Sequence, residues 1–163
     1  MATHRVYSAN NVLVQVTDGQ LDDAAKGSGA LSAELANAAG TARRRDLIDR
    51  LRATLSGKER ITKLAAARAL LALGDRDSIG ALRARASAED EPIVAGVFRG
   101  IALRLEGLAA LRKAFETGDQ DPSLAGALAV VYNGSFDLTL ATSNSCSTWS
   151  RRTSPTRRSG SLR

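Results

Sequence analysis

The sequence predicts an all-helical protein whose helices are stacked as repeats, and three observations support this. The phrase Glu-Pro-Ile-Val-Ala-Gly at 91–96 returns thirty positions later as Asp-Pro-Ser-Leu-Ala-Gly at 121–126. Ile-Gly-Ala-Leu-Arg at 79–83 returns, shifted by twenty-nine, as Leu-Ala-Ala-Leu-Arg at 108–112. Such self-similarity is typical of stacked-repeat proteins. Aromatic residues make up only 4% of the chain, so helices closely packed through Ala and Leu are favoured over a sheet.

Length and charge fit one domain with a nearly neutral body. At 163 residues the chain can bury a real core. Its formal net charge is +6, but five of its 23 Lys and Arg side chains lie in residues 151–163, which hold no acid. The other 18 are matched by 17 acidic side chains in residues 1–150. The basic character of the whole chain is therefore not by itself a nucleic-acid footprint.

Cysteine content and hydropathy predict a soluble cytoplasmic protein. The single cysteine, Cys146, excludes an intramolecular disulfide and a multi-cysteine metal site. No run approaches the roughly eighteen apolar residues of a membrane span. His4 and Arg5 open the chain, but polar residues interrupt the apolar stretch that follows, which makes a poor secretion signal.

Three segments are predicted along the chain. Residues 1–20 are expected to be an irregular lead-in, or a lone strand at 12–16 that Thr-Asp-Gly at 17–19 ends with a turn signal. Residues 21–134 form the helical repeat domain. Residues 135–163 hold eight Ser and five Thr, no Lys or Glu and no helical periodicity, so we expect a disordered tail.

Apolar residues at helical spacing, with the usual start and stop residues, divide the repeat domain into helices. The first covers Leu31 to Ala39, with Ser28 or Ser32 available as a cap and Gly40 as a stop. The others are predicted at about 42–55, 58–73, 78–88, 92–105, 107–117 and 123–132. Only a few residues separate 58–73 from 78–88, so these two helices should fold back antiparallel.

The phrase Leu-Ala-Ala-Ala-Arg-Ala-Leu-Leu-Ala-Leu-Gly-Asp at 64–75, followed by Ile-Gly-Ala-Leu at 79–82, resembles the short bacterial HEAT-like repeat, a form also seen in phycobilisome lyase subunits. The resemblance covers roughly residues 42–134 and implies a short right-handed α-solenoid of antiparallel helix pairs. It transfers no functional residue, because the motif is structural. At 104–106, Arg-Leu-Glu replaces the Gly-Asp and short turn of the family, which predicts a tighter or shifted turn.

The sequence offers no catalytic, cofactor or metal site, and we expect a protein that is not an enzyme. The sole histidine, His4, lies near the terminus, and Cys146 has no base nearby in the sequence, so neither is expected to be a catalytic group. Acidic clusters occur at 22–23, 89–91 and 119–121. Each falls at a proposed helix start, where negative charge complements the helix dipole, so capping is favoured over metal binding.

One arginine series is the best candidate for a binding site. Arg52, Arg83 and Arg112 occupy equivalent positions in the second helices of three successive units, and Arg50, Arg85 and Lys113 flank them. Second helices usually line the concave face of HEAT-like solenoids, so the resemblance implies a ladder of guanidinium groups roughly 10 Å apart. Such a ladder suits carboxylates of an acidic peptide, or phosphates. The alternative is that these arginines only cover a solvated helix face.

Three functions are compatible with this pattern. The first is a non-enzymatic interaction scaffold that binds a protein partner on its concave face, because solenoids make extended binding surfaces. The second is nucleic-acid binding through the arginine ladder and the basic tail, although few aromatics are present for stacking. The third is a lyase or DNA glycosylase, as some HEAT-like proteins are, although the only tryptophan lies in the tail. No membrane partner is expected, and an uncapped end of the array offers a surface for self-association.

Overall fold

Helices make up most of the structure, a computed structural model that describes residues 2–8, 10 and 12–117. Within these residues a two-stranded sheet precedes seven α-helices. The strands are β1 (Thr3–Tyr7) and β2 (Leu13–Thr17). The helices are α1 (Asp18–Lys26), α2 (Ala33–Thr41), α3 (Ile48–Leu55), α4 (Arg60–Leu73), α5 (Ile79–Ser87), α6 (Pro92–Glu106) and α7 (Leu108–Thr117). The prediction of a mostly helical protein is confirmed.

The expected irregular N-terminal lead-in is wrong, because the strands form an antiparallel hairpin. β1 pairs with β2 in a register that sets Thr3 opposite Thr17 and Tyr7 opposite Leu13. Side chains alternate between the two faces of a strand, and here Val6 and Val16 are buried on one face. Each strand buries only one side chain, so the alternation is too short to stand out in the sequence.

The predicted turn at 17–19 is also wrong, because it is the start of α1. Thr17 is the N-cap: its hydroxyl accepts a hydrogen bond from the Gln20 N–H at 3.3 Å, and its own N–H donates to Gln20 Oε1 at 2.8 Å. This reciprocal pair is a capping box, which satisfies free N–H groups at a helix start. The next helix, α2, starts as predicted at one of the two proposed caps, with Ser32 accepting from the Leu35 N–H.

The later helices agree closely with the sequence. The predictions at 58–73, 78–88, 92–105 and 107–117 match α4 to α7 to within two residues at each end. The helix expected from residue 42 begins later, with a 3-10 turn at Arg45–Leu47 leading into α3. Arg43 explains the delay, since its φ of 54° takes the chain out of α2 in a left-handed conformation.

Three equivalent chain reversals use different residues. Gly74, with φ of 68°, ends α4, and Arg43 holds the corresponding position 31 residues earlier. After α6 the reversal moves two residues on, to Gly107 with φ of 119°, and α7 follows at once. The turn expected near 104–106 is thus both tighter and shifted.

Packing is closest between neighbouring units. α2 packs on α4 and α4 on α6, while α3 packs on α4 and both α5 and α7 pack on α6. α4 and α5 are not among these closely packed pairs, although only residues 74–78 separate them along the chain. Gly40 permits the α2–α4 contact, since a Cβ there would meet the Ala69 Cα at 2.9 Å. The largest fully buried side chains are Leu21, Leu47, Leu51, Leu70, Leu82, Phe98, Ile101 and Leu111.

Two predicted segments lie outside the described residues, the helix at 123–132 and the disordered tail at 135–163. No helix in the described part of the chain has the length and apolar character needed to cross a membrane.

Candidate interaction surface

Arg52 is bound within the chain. From α3 its Nη2 donates to Asp75 Oδ1 at 2.7 Å, and its Nε donates to Asp75 Oδ2 at 3.0 Å. Nε also donates to the Ser78 Oγ at 3.0 Å. The Asp75 side chain is only 7% exposed, and the Ser78 hydroxyl donates to it. This forked contact fixes α3 to the turn between α4 and α5, so most donors of Arg52 are already used.

Arg83 repeats this arrangement one unit later, with the arginine more exposed than Arg52 and an acid, Glu106, that is 22% exposed. Its Nη2 lies 2.5 Å from Glu106 Oε1, at the end of α6. The arginine and the acid are both shifted by 31 positions from Arg52 and Asp75. The Arg83 side chain is 61% exposed, and the contact lacks hydrogen-bond geometry. Two arginines of the predicted ladder therefore occupy the same place in an inter-unit ion pair.

A third ion pair, one unit earlier, has its charges exchanged, and its acid lies one position beyond the residue 31 before Arg52. Arg44 takes the place of Asp75 in the turn after α2, and its Nη1 lies 2.8 Å from Oδ1 of Asp22 in α1. The Nε and Nη2 of Arg44 donate to Oδ1 and Oδ2 of Asp46, at 2.9 and 2.7 Å. The Asp46 and Asp22 hydrogen bonds raise the pKa of Arg44. The sequence did not reveal this pair, because its acid and base are reversed relative to those of the later units.

Arg112 and Lys113, the last members of the series, are exposed on α7. Neither makes an ion pair with the described part of the chain. The residue 23 positions beyond Arg112, where the preceding units place an acid, is a serine in the sequence. These two cations are therefore the members of the predicted set that the described residues do not neutralise.

Arg50 holds the C-terminal end of α1. Its Nε donates to the Gly29 carbonyl at 3.0 Å, Nη2 donates to the Ser28 carbonyl at 3.2 Å, and Nη1 donates to the Ala24 carbonyl. An arginine is suited to this task because its planar fork presents several donors at once. Arg50 thus has a structural contact on each guanidinium nitrogen.

Arg85 belongs to a buried ionic cluster with Lys63 and Glu89. Lys63 Nζ and Arg85 Nη2 each donate to Glu89 Oε2 at 2.8 Å. The Lys63 side chain is 4% exposed and that of Glu89 is 13% exposed. The hydrogen bonds from Lys63 and then Arg85 hold the pKa of Glu89 below its ordinary value. The cluster joins α4 to the end of α5, so the Arg85 side chain is also already used in a contact within the chain.

The acidic clusters have ion-pair partners instead of the expected capping role. Asp22 and Asp23 lie inside α1, with Asp22 paired to Arg44. Glu91 stands at the N-cap of α6 but makes no side-chain capping bond, and pairs with Arg60 at 2.8 Å. The cluster at 119–121 lies outside the described residues. Nowhere in residues 2–8, 10 and 12–117 do three His, Cys, Asp or Glu side chains form a group that could hold a metal ion.

His4, near the start of the chain, makes a specific contact with Asp18. Its Nε2 lies 2.9 Å from Asp18 Oδ1, and Asp18 Oδ2 accepts the Ala2 N–H at 3.1 Å. The hydrogen bond to His4 lowers the pKa of Asp18. These contacts join the start of β1 to the start of α1.

No family model, curated protein or solved structure matches this chain. The resemblance to HEAT-like repeats therefore rests on the repeated phrases of the sequence.

Proposed function

We propose that this chain is a non-enzymatic helical-repeat module, a short right-handed α-solenoid of HEAT-like units that binds a protein partner on the concave face of its second helices. The recurring inter-unit ion pair carries the proposal. Asp22 with Arg44, Arg52 with Asp75, and Arg83 with Glu106 are separated by 22, 23 and 23 residues. Units joined through equivalent contacts stack in a regular way, which is how solenoids build extended surfaces.

The ion pairs also narrow down which arginines can contact a partner. Arg50, Arg52 and Arg85 hold neighbouring segments together, so a partner that recruited them would have to break internal contacts. Arg112 and Lys113 are exposed on α7. An acidic segment of the partner is the fitting ligand, because carboxylates form charge-assisted hydrogen bonds with such cations.

The full chain used as bait in lysate tests this proposal, alongside a variant in which Arg112→Glu and Lys113→Glu reverse the α7 charges. The matched control carries Arg68→Glu and Arg76→Glu, two exposed cations on other elements. Circular dichroism should show equal helicity in all three baits. We expect a protein partner that the wild type and the control retain and the α7 variant loses.

The same experiment separates the protein partner from the nucleic-acid alternative. Captured material that nuclease releases, and that is lost steeply with added salt, would indicate phosphate contacts with counterion release. A protein partner held equally by all three baits would show that the α7 cations are only a solvated face.

A further inference from the structure

In the hairpin, the backbone N–H and C=O groups of alternate residues point away from the partner strand. The Ser8 N–H donates to the Val12 carbonyl, and the Asp18 N–H donates to the Ala2 carbonyl. In an antiparallel pair, hydrogen-bonded and non-hydrogen-bonded positions alternate, so the even-numbered residues bond across the hairpin. The N–H and C=O groups of the odd-numbered residues point outward, which assigns Leu13 and Gln15 to the outer edge of β2.

The outer edges of the two strands differ in how far the chain covers them. On β1, the Tyr7 carbonyl accepts a hydrogen bond from the Asn37 side chain of α2 at 3.2 Å, and α2 packs along this strand. On β2, the Thr17 N–H is used by Gln20 in the capping box. The outward groups of Leu13 and Gln15 have no partner among the described residues.

Exposed apolar side chains lie at one end of the hairpin, and the outer edge of β2 lacks the features that protect sheet edges. Tyr7, Val12 and Leu13 are 60%, 58% and 53% exposed and lie at one end of the hairpin. Natural proteins protect edges with charged residues, proline or a bulge. β2 reads Leu-Val-Gln-Val-Thr, with no charge and no proline, and its register with β1 is unbroken.

We propose that β2 pairs with β2 of a second copy of this chain, antiparallel about a two-fold axis through Val14. Leu13 then faces Gln15 of the second copy in both directions, and their outward N–H and C=O groups form two pairs of hydrogen bonds. The strand is its own complement in this arrangement, because no charges oppose each other and Val14 meets Val14 of the second copy. The contact is isologous, as closed dimers require, and joins the two hairpins into one four-stranded sheet.

Backbone hydrogen exchange on the full chain tests this pairing directly. In an unpaired hairpin the amides of Val14 and Val16 are protected by β1, whereas those of Leu13 and Gln15 face solvent. Because one strand pair is a small interface, dimerisation should depend on concentration. We expect exchange of the Leu13 and Gln15 amides to slow several-fold from micromolar to millimolar protein, with Val14 unchanged. Fast exchange of both amides at millimolar protein would overturn the proposal.

Two variants supply an independent test by light scattering. Gln15→Pro removes an outward N–H and no bond of the hairpin, since proline is tolerated where the N–H faces solvent. Leu13→Lys places two like charges beside the axis, and Thr3→Lys puts the same charge on the same face of β1 as a control. We expect a concentration-dependent dimer for wild type and Thr3→Lys, and a monomer for the other two, all with equal helicity by circular dichroism. A dimer that both Gln15→Pro and Leu13→Lys retain would place the contact elsewhere.

Discussion

The Arg52–Asp75 and Arg83–Glu106 ion pairs occupy equivalent positions one unit apart, yet their surroundings differ. Asp75 is almost fully buried and receives a forked contact from Arg52 and a hydrogen bond from Ser78. Arg83 is mostly exposed and meets Glu106 through one contact without hydrogen-bond geometry. The arginines look alike in the sequence, but the side chains of the first pair are 32% and 7% exposed and those of the second are 61% and 22% exposed. We therefore expect the more buried pair to contribute more to stability.

The largest expected effect comes from breaking the buried pair. Asp75→Ala leaves Arg52 and Ser78 without their acceptor, and loss of one partner from a buried ion pair is strongly destabilising. Because Arg52 is about a third exposed, we expect a loss of about 2–3 kcal/mol in the free energy of unfolding. Glu106→Ala should cost less, about 1 kcal/mol, because the Arg83 side chain in this pair is 61% exposed.

Urea unfolding followed by circular dichroism measures both variants. Asp77→Ala serves as the control, because this acid is 90% exposed and lies 3.7 Å from Arg52. Equal losses for Asp75→Ala and Glu106→Ala would show that the greater burial of the first pair does not distinguish it from the second.

The next largest effect is expected at the ion pairs that join α4 to the segment before α6, Lys63 with Glu89 and Arg60 with Glu91. Lys63→Met removes one of two cations from the buried Glu89, and since Arg85 stays in place we expect a loss of about 1–2 kcal/mol. Arg60→Met breaks the exposed pair with Glu91 and should cost less than about 0.5 kcal/mol. Thermal unfolding of the two variants side by side would show this order, and a reversed order would contradict it.

The pKa of Glu89 gives the buried cluster a pH dependence. Its folded-state pKa is held below the ordinary value of 4.5 by Lys63 and Arg85. The stabilisation is therefore complete above pH 4.5 and is lost as pH falls through the folded pKa. We expect the stability difference between wild type and Glu89→Gln to be constant near neutral pH and to shrink as the solution is acidified to about pH 3. A difference that persists unchanged at that pH would argue against charge as the source.

The later helices could be predicted from the sequence, whereas the side-chain contacts between them could not. Gly74, Pro92 and Gly107 mark helix ends through backbone geometry alone, so α4 to α7 were predictable. The hairpin was not, because its strands are short and Thr17 and Gln20, which start α1, surround an Asp-Gly that is also a turn signal. The arginine partners lie 23 residues away, and only a fold brings them together. The common shift of 31 for the arginine and its acid was nevertheless present in the sequence.

Effects of opposite sign are expected at the chain reversals at Arg43 and Gly74. Arg43 and Gly74 both adopt a left-handed backbone conformation. In this conformation a side chain crowds the backbone, at a cost of roughly 1–2 kcal/mol per residue. Arg43→Gly relieves this crowding and loses part of the gain to the entropy of glycine in the unfolded chain, so we expect a net stabilisation of about 0.5 kcal/mol. Gly74→Ala should destabilise by about 1 kcal/mol. Opposite signs in urea unfolding would show that the two reversals share one backbone geometry and differ in how well the residue suits it.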